Sequence, residues 1–223
     1  MSRIIAIDGP SGSGKSSVSA RVGKKLGFLH VDSGALYRIM TWQCLECGID
    51  TRNQQAVADF AATVEVDFSA EDGRIAYRVG GEIPGDAIRT ARINANASHV
   101  AVVKEVRDRV TAWLRSLARF GDLIVEGRDI TTAVFPDSPA RFYLTASAEA
   151  RAQRRHLEEQ SKGIDGGDAE AVKASLLARD AIDSTRKYAP LRKADGVVEI
   201  DSTALNLDEV VEAVLEALPP EWK

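Results

Sequence analysis

Near the start of the chain stands the run Gly9-Pro10-Ser11-Gly12-Ser13-Gly14-Lys15-Ser16. It matches G-x-x-x-x-G-K-[ST] in full. Glycines at these places let the backbone wrap a phosphate with its N–H groups, and the start of a following helix adds donors and dipole. Lys15 has the reach to bridge β- and γ-phosphates. The Ser16 hydroxyl suits Mg²⁺, and Ser17 follows it within reach of the nucleotide. The flanks agree: the apolar run Arg3–Ile7 precedes the loop and a helical pattern, Lys15–Leu26, follows it. This chemistry binds the phosphates of a nucleoside triphosphate. It does not say what the nucleotide is used for.

Two uses remain open: hydrolysis by a switch or motor, and transfer to a small acceptor. A small kinase needs a second anion site facing the loop, and mobile cations that cover the reacting phosphates and exclude water. Asp32-Ser33-Gly34-Ala35-Leu36-Tyr37-Arg38 follows the second strand candidate. That is a strand end, where ligands of open α/β sheets bind. Asp32 and Ser33 suit an ordinary helix cap equally well, while Tyr37 and Arg38 lie one turn further on. In Glu126-Gly127-Arg128-Asp129, Gly127 permits close approach, Arg128 can clamp a phosphate and Asp129 can accept hydrogen bonds. The same residues also fit an ion pair capping a turn. Arg151-x-x-Arg154-Arg155 is either a solvated helix face or part of a closing lid. Arg179-Asp180-x-x-Asp183-x-x-Arg186 places its charges on adjacent helix positions, as a surface ladder would too.

The elements that must position these groups alternate. Short apolar strands are expected at Arg3–Ile7, Phe28–Val31, Leu123–Glu126, Ala140–Thr145 and Val197–Ile200. Helical patterns cover Lys15–Leu26, Ala35–Cys47, Ala97–Arg119, Ala148–Gln160, Ala169–Asp183 and Leu207–Leu218. Strand–helix alternation argues for a parallel sheet with helices on both sides. Val64–Phe68, Arg74–Val79 and Gly81–Ile83 break the rhythm as a small antiparallel insert. Ser161–Asp168, with three glycines, is expected to be a loop.

Composition narrows the classes. The chain has 223 residues, enough for one sizeable domain, and 44% are hydrophobic. A net charge of −4 gives no global positive field for nucleic acid. Arg outnumbers Lys by 20 to 9, and Arg offers the planar fork that suits phosphate. No apolar run reaches the ~18 residues of a membrane span, and the N-terminus lacks the pattern of a signal peptide. Cys44 and Cys47 are expected to be half-buried free thiols on one helix face, in a reducing cytosol.

Together these motifs resemble the bacterial-type cytidylate kinases from end to end. The matches are GPSGSGKS, DSGALYR, ANASHVAVVKEVR, EGRDITTAVFPD, and R-D-x-x-D-x-x-R followed by APL. The resemblance implies an α/β fold of the P-loop NTPase type: a five-stranded parallel sheet flanked by helices. A monophosphate-binding subdomain would span about 33–107, including a β insert at about 64–90, with a helical lid at about 150–170. Gly9 through Ser17 would contact ATP, with Lys15, Arg128 and Arg186 at the transferring phosphoryl group. Asp32 and Tyr37 would line the CMP site beside Gly127. Ser33 and Asp183 would read the cytosine or ribose side, and Ser98 and Asp129 the base. Arg38, Arg107 and Arg128 would hold the acceptor phosphate, and Arg179 with Asp183 the sugar. Arg151 and Arg155 would be lid residues over ATP.

The chain departs from the family in small ways. Its loop ends Lys-Ser-Ser where many relatives have Lys-Gly-Thr. Asp129-Ile130-Thr131-Thr132 replaces a more common Asp-Met-Gly-Thr and stiffens the turn after Asp129. Ser184-Thr185 makes the segment before Arg186 less basic than usual.

The expected reaction is in-line transfer from MgATP to CMP or dCMP by a cytoplasmic monomer, with Mg²⁺ as cofactor and neither nucleic-acid nor membrane partners. UMP, shikimate or dephospho-coenzyme A as acceptor, and a switch that binds a protein partner, are the competing readings.

Overall fold

A computed structural model describes residues 2–161 and 168–222. Five strands make the central parallel sheet: β1 (Ile4–Asp8), β2 (Leu29–Asp32), β5 (Leu123–Gly127), β6 (Ala140–Thr145) and β7 (Val198–Asp201). The insert strands β3 (Asp67–Glu71) and β4 (Arg74–Arg78) extend it at one edge, giving the order β3-β4-β2-β5-β1-β6-β7. The central strands are near-continuous apolar runs because helices cover both faces. Along β1 the side chains alternate: Ala6 joins the core on one side, Ile5 and Ile7 the core on the other.

The register explains where a site belongs. Asp8 pairs with Gly127, and Asp32 with Glu126. The carboxyl ends of the three middle strands therefore finish at one level, and the chain turns there into its polar motifs.

One layer of helices consists of α1 (Lys15–Leu26) and α8 (Leu207–Glu216), whose Val18, Val22, Val210 and Val214 pack on Ile5, Ile7 and Phe142. Opposite lie α2 (Ser33–Glu46), α4 (Ala91–Ala101) and α5 (Lys104–Ser116), with Leu36, Ile39, Val100, Val106, Val110 and Leu114 on Val31 and Val125. Beside them is α3 (Gln54–Ala61). The helices α6 (Ala148–Ser161) and α7 (Ala169–Thr185) pack together around Ala152, Val172 and Leu176.

Several expectations need correction. The long helix over Ala97–Arg119 is two helices, because Val103 is extended (φ −73°, ψ 127°). The break exposes the Ala101 carbonyl, which accepts from Arg107 Nη1 at 3.1 Å. The helix α3 went unpredicted. It is short, but Asn53 caps it through Ala56 N–H, and Val57 and Ala61 are buried. In the insert, the first strand begins three residues later than expected, at Asp67, and turns at Asp72-Gly73. Both turn residues have positive φ (47° and 74°), as tight hairpins favour. Gly81–Ile83 makes only one isolated bridge, Val79 to Glu82. The insert joins the main sheet through a single pairing, His30 with Arg74.

Cys44 and Cys47 are free thiols, one buried and one exposed rather than both half-buried. The expected loop Ser161–Asp168 lies, for residues 162–167, outside the described residues. Among the described residues, no helix is long and apolar enough to cross a membrane.

Candidate active site

The phosphate loop is held open by backbone contacts that only glycine allows. A Cβ on Gly9 would lie 2.0 Å from the Leu144 carbonyl oxygen. One on Gly12, at φ 77°, would lie 3.0 Å from the Arg151 carbonyl oxygen. Helix α1 begins at this loop with left-handed Gly14 and no side-chain cap. By contrast, Asp32, Asn53, Thr90, Asp168 and Asn206 cap α2, α3, α4, α7 and α8. The first amides of α1 therefore lack a side-chain acceptor where a phosphate would supply one.

Lys15 is 5% exposed and folds back, its Nζ donating to the Pro10 carbonyl at 2.7 Å and to Ser13 Oγ at 3.4 Å. Burial, with Arg128 nearby, brings its pKa down to about 7. An arriving polyphosphate would reverse that cost by giving the ammonium an anionic partner. Asp180 stands against the loop, accepting from Ser11 N–H at 3.2 Å.

The loop forms one wall of a cleft of about 1020 Å³. It is lined by Ser11 through Ser17, and by Asp32, Ser33, Tyr37, Arg38, Ser98, Gly127, Arg128, Asp129, Arg155, Arg179, Asp183 and Arg186. Thus most of the sequence-expected groups, scattered over the chain, meet in one place. Gly127 is needed there, because a Cβ would come within 2.5 Å of Ser33 Oγ and 2.7 Å of Ile130 Cγ1.

Opposite the loop the charges interlock. Asp183 accepts from Arg128 Nε at 3.1 Å and from Arg186 Nη1 at 3.4 Å. Asp129 pairs with Arg107 and lies 3.6 Å from Arg186 Nη2. That Nη2 is buried without a hydrogen-bond partner among the described residues. Arg179 has no ion-pair partner among the described residues. Burial and the neighbouring Arg38 and Arg128 pull its pKa down to about 10. Burial pushes Asp32 up, but Arg38, Arg89 and His30 together hold its carboxyl below its usual value.

Some expected residues sit elsewhere. Arg107, expected on the acceptor phosphate, is 4% exposed behind the wall, where it grips Asp129 and the Ala101 carbonyl. Its guanidinium also lies 5.4 Å from the Tyr37 ring centroid. Arg151, expected over ATP, is buried beneath the loop, donating to the Ser11 carbonyl at 3.0 Å and pairing with Asp180. The reason is the tight packing of α6 on Gly12. Gly9 and Pro10 shape the loop without lining the cleft. Arg155 does line it, near Glu158 at 3.2 Å.

The chain matches the family model "Cytidylate kinase" over residues 5–219. A cytidylate kinase of Shouchella clausii is 42% identical over 213 residues, covering 95% of this chain and 94% of that protein. One from Streptomyces griseus is 44% identical over 214 residues, covering 95% and 90%. This chain belongs to the cytidylate kinase family. A crystal structure of an uncharacterized protein from Eubacterium ventriosum shares the fold, with a TM-score of 0.52 and 12% identity over 97% of each chain.

Sequence reasoning missed several groups at the family's cleft. Arg154, weighed only as part of an Arg cluster, lines it and donates to the Ser202 carbonyl at 2.5 Å. The insert contributes Tyr77, whose hydroxyl donates to the Asp32 carbonyl at 3.1 Å. Near the insert's end, Arg89 reaches the Asp32 carboxylate at 3.2 Å. His30 and Glu126 face the cleft from neighbouring strands, 3.3 Å apart. An acid at the end of a strand just before the loop, Asp8, was the readable signal that went unused; it is fully buried.

Proposed function

We propose that this protein transfers the γ-phosphoryl group of MgATP to CMP or dCMP, releasing ADP and CDP or dCDP. What supports this reading most is the arginine array facing the phosphate loop across one cleft: Arg38, Arg128, Arg154, Arg155, Arg179 and Arg186. Such a density of fixed cations beside an uncapped helix start suits two anionic substrates meeting end to end, rather than one nucleotide and a water.

In this reading Lys15 and the loop amides hold the ATP phosphates. Arg128 and Arg186 span the acceptor phosphate and the transferring group, and Asp183 pre-orients both in the absence of substrate. Arg38 and Arg179 complete the acceptor side, with Arg155 and Arg154 over the donor. The acceptor phosphate is already an ionised nucleophile, so no general base is required. Catalysis is positioning plus charge stabilisation. Asp129, held by Arg107, keeps acceptor capacity for the cytosine amine, a carboxylate having about four lone-pair sites. Uracil offers a carbonyl there and no donor. Ser98 faces the same pocket.

Mg²⁺ fits the residues present. Ser16 is exposed on the cleft, and a hydroxyl with phosphate oxygens is a hard-oxygen donor set. When bound, the ion would neutralise charge on the β- and γ-phosphates. We place the monophosphate-binding part at about 33–107 and the lid at about 150–170. The protein would act as a monomer in cytoplasmic pyrimidine nucleotide metabolism.

The test is ADP release with MgATP and CMP, dCMP, UMP, AMP or no acceptor. Strong stimulation by CMP and dCMP with a weak response to UMP is expected. Absence of stimulation by any nucleotide would overturn the acceptor site.

A further inference from the structure

A helix start leaves amides without acceptors, and the residue at the N-cap usually supplies one from its own side chain. The turn that carries Arg128 and Asp129 breaks this pattern. Residues Ile130–Val134 form a single π-helical turn with Asp129 at its N-cap position, at φ −148° and ψ 22°, yet Asp129 makes no cap hydrogen bond. Its carboxylate is engaged by Arg107 and faces the cleft. The amides it would have capped are taken by a different strand. Ile130 N–H donates to Asp8 Oδ1 at 2.8 Å, and Thr131 N–H donates to Asp8 Oδ2 at 2.8 Å. The Thr131 hydroxyl donates to the same oxygen at 2.6 Å. Asp8 is the residue directly before Gly9, the first residue of the phosphate loop.

We propose that Asp8 and Thr131 form a positioning clamp: Asp8 caps the acceptor-site turn from another strand, which frees Asp129 to face the acceptor base and fixes Arg128 against the phosphate loop. Neither residue is catalytic. Both are 0% exposed and neither lines the cleft. The clamp joins the two substrate loops at their roots, so that one carboxylate sets the distance between donor and acceptor machinery. The Thr131 hydroxyl is the third donor to Asp8. The hydroxyl of the next residue, Thr132, is buried with no partner among the described residues, so it does not share this work.

The clamp needs an ionised Asp8, because all three partners are donors. Burial opposes that form and raises its pKa to about 6, with Asp129 adding repulsion, while the hydrogen bonds from Thr131 and Ile130 pull it down. The other charged or titratable groups that sense Asp8 are Lys15 on the loop side and Tyr143 on β6. Protonation would turn one acceptor oxygen into a donor and loosen the turn on the acid side of neutrality.

The inference rests on the proposed CMP reading for its kinetic arm only. The experiment compares Thr131→Val, which keeps the shape and loses the hydroxyl, with Thr131→Ser, which keeps the hydroxyl. Thr131→Val should lower kcat/KM for CMP by about tenfold, as for loss of one charge-assisted hydrogen bond, with MgATP affinity without acceptor unchanged within about twofold. Its acid limb in kcat/KM for CMP should move to higher pH. Thr131→Ser should restore rate and limb. Amide exchange of Ile130 and Thr131 in the ligand-free protein should quicken in Thr131→Val and not in Thr131→Ser. If wild type turned over no CMP, the proposed function would fall while the exchange arm still tested the clamp. Unchanged exchange in Thr131→Val, an unmoved acid limb, or no rescue by Thr131→Ser would each overturn the clamp.

Discussion

The two halves of the cleft are built in opposite ways. The half proposed for the donor is local: nine consecutive residues, Gly9 to Ser17, whose backbone conformation is set by glycines and whose helix-start amides have no side-chain cap. The acceptor half is assembled from α2, α4, α7, the insert region and the turn after β5, and its groups are side chains, several of them interlocked in buried or half-buried ion pairs. A site made of backbone tolerates loss of one side chain without losing its shape. A site made of interlocked charges does not, because removing one partner strands the other.

The largest test of that contrast is Lys15→Ala. Turnover should fall by about 10³-fold or more, the scale of a single cation at the transferring phosphoryl group. The melting temperature should hold or rise, because Lys15 is a buried cation whose charged form burial disfavours. A large drop in melting temperature would show that the loop depends on its side chain after all.

Next comes Arg107→Met. It leaves the Asp129 carboxylate buried with Arg186 at 3.6 Å as the one remaining ion-pair partner among the described residues, and should cost about 3–5 kcal/mol of stability together with activity. Denaturant unfolding of this variant beside Lys15→Ala separates the two kinds of site. Equal stability in both would erase the distinction.

The Asp8 carboxyl gives a smaller effect with a definite sign. Its folded-state pKa of about 6 lies above the ordinary 3.8. The folded protein therefore holds this proton more tightly than the unfolded chain does. The stabilisation from that proton is full below pH 3.8 and is lost as pH rises through about 6. The difference amounts to about 3 kcal/mol. In urea unfolding, wild type should gain on Asp8→Asn as pH falls from about 6.5 toward 4.5. A gap independent of pH would mean that Asp8 is not raised.

The smallest effect belongs to Arg89→Gln. This arginine is nearly half exposed and reaches Asp32 across the insert boundary. Screening limits such a pair to about 1 kcal/mol or less, so KM for CMP should rise only a few-fold and stability should barely change. A loss as large as that of Arg107→Met would place Arg89 inside the interlocked set.

The same contrast explains what could be read early. Helix α1 was legible to the residue, because the Lys15–Leu26 pattern and Gly27 are local signals. The break at Val103 was not. A valine-rich apolar stripe continues through it, and the Ala101 carbonyl freed by the break meets Arg107 only in the folded chain. Arg151 and Arg155 look alike at helical spacing, yet one lies under the loop and one lines the cleft. The difference comes from α6 packing against Gly12, which no pattern along α6 encodes.

By itself the sequence determined that Gly9–Ser17 has the make-up of a phosphate loop, that a parallel α/β sheet carries it, and that arginines and aspartates follow in short motifs along the chain. These follow from conformational needs and periodicities that act over a few residues. Only the tertiary structure decided which charges meet. It paired Arg107 with Asp129 and the Ala101 carbonyl. It brought Asp8 to cap a turn more than a hundred residues away, and it joined the insert to the sheet by one pairing. The physical reason is burial. The buried groups Asp8, Arg107 and Asp129 leave water where a partner is fixed beside each, and that partner comes from the packing of distant elements.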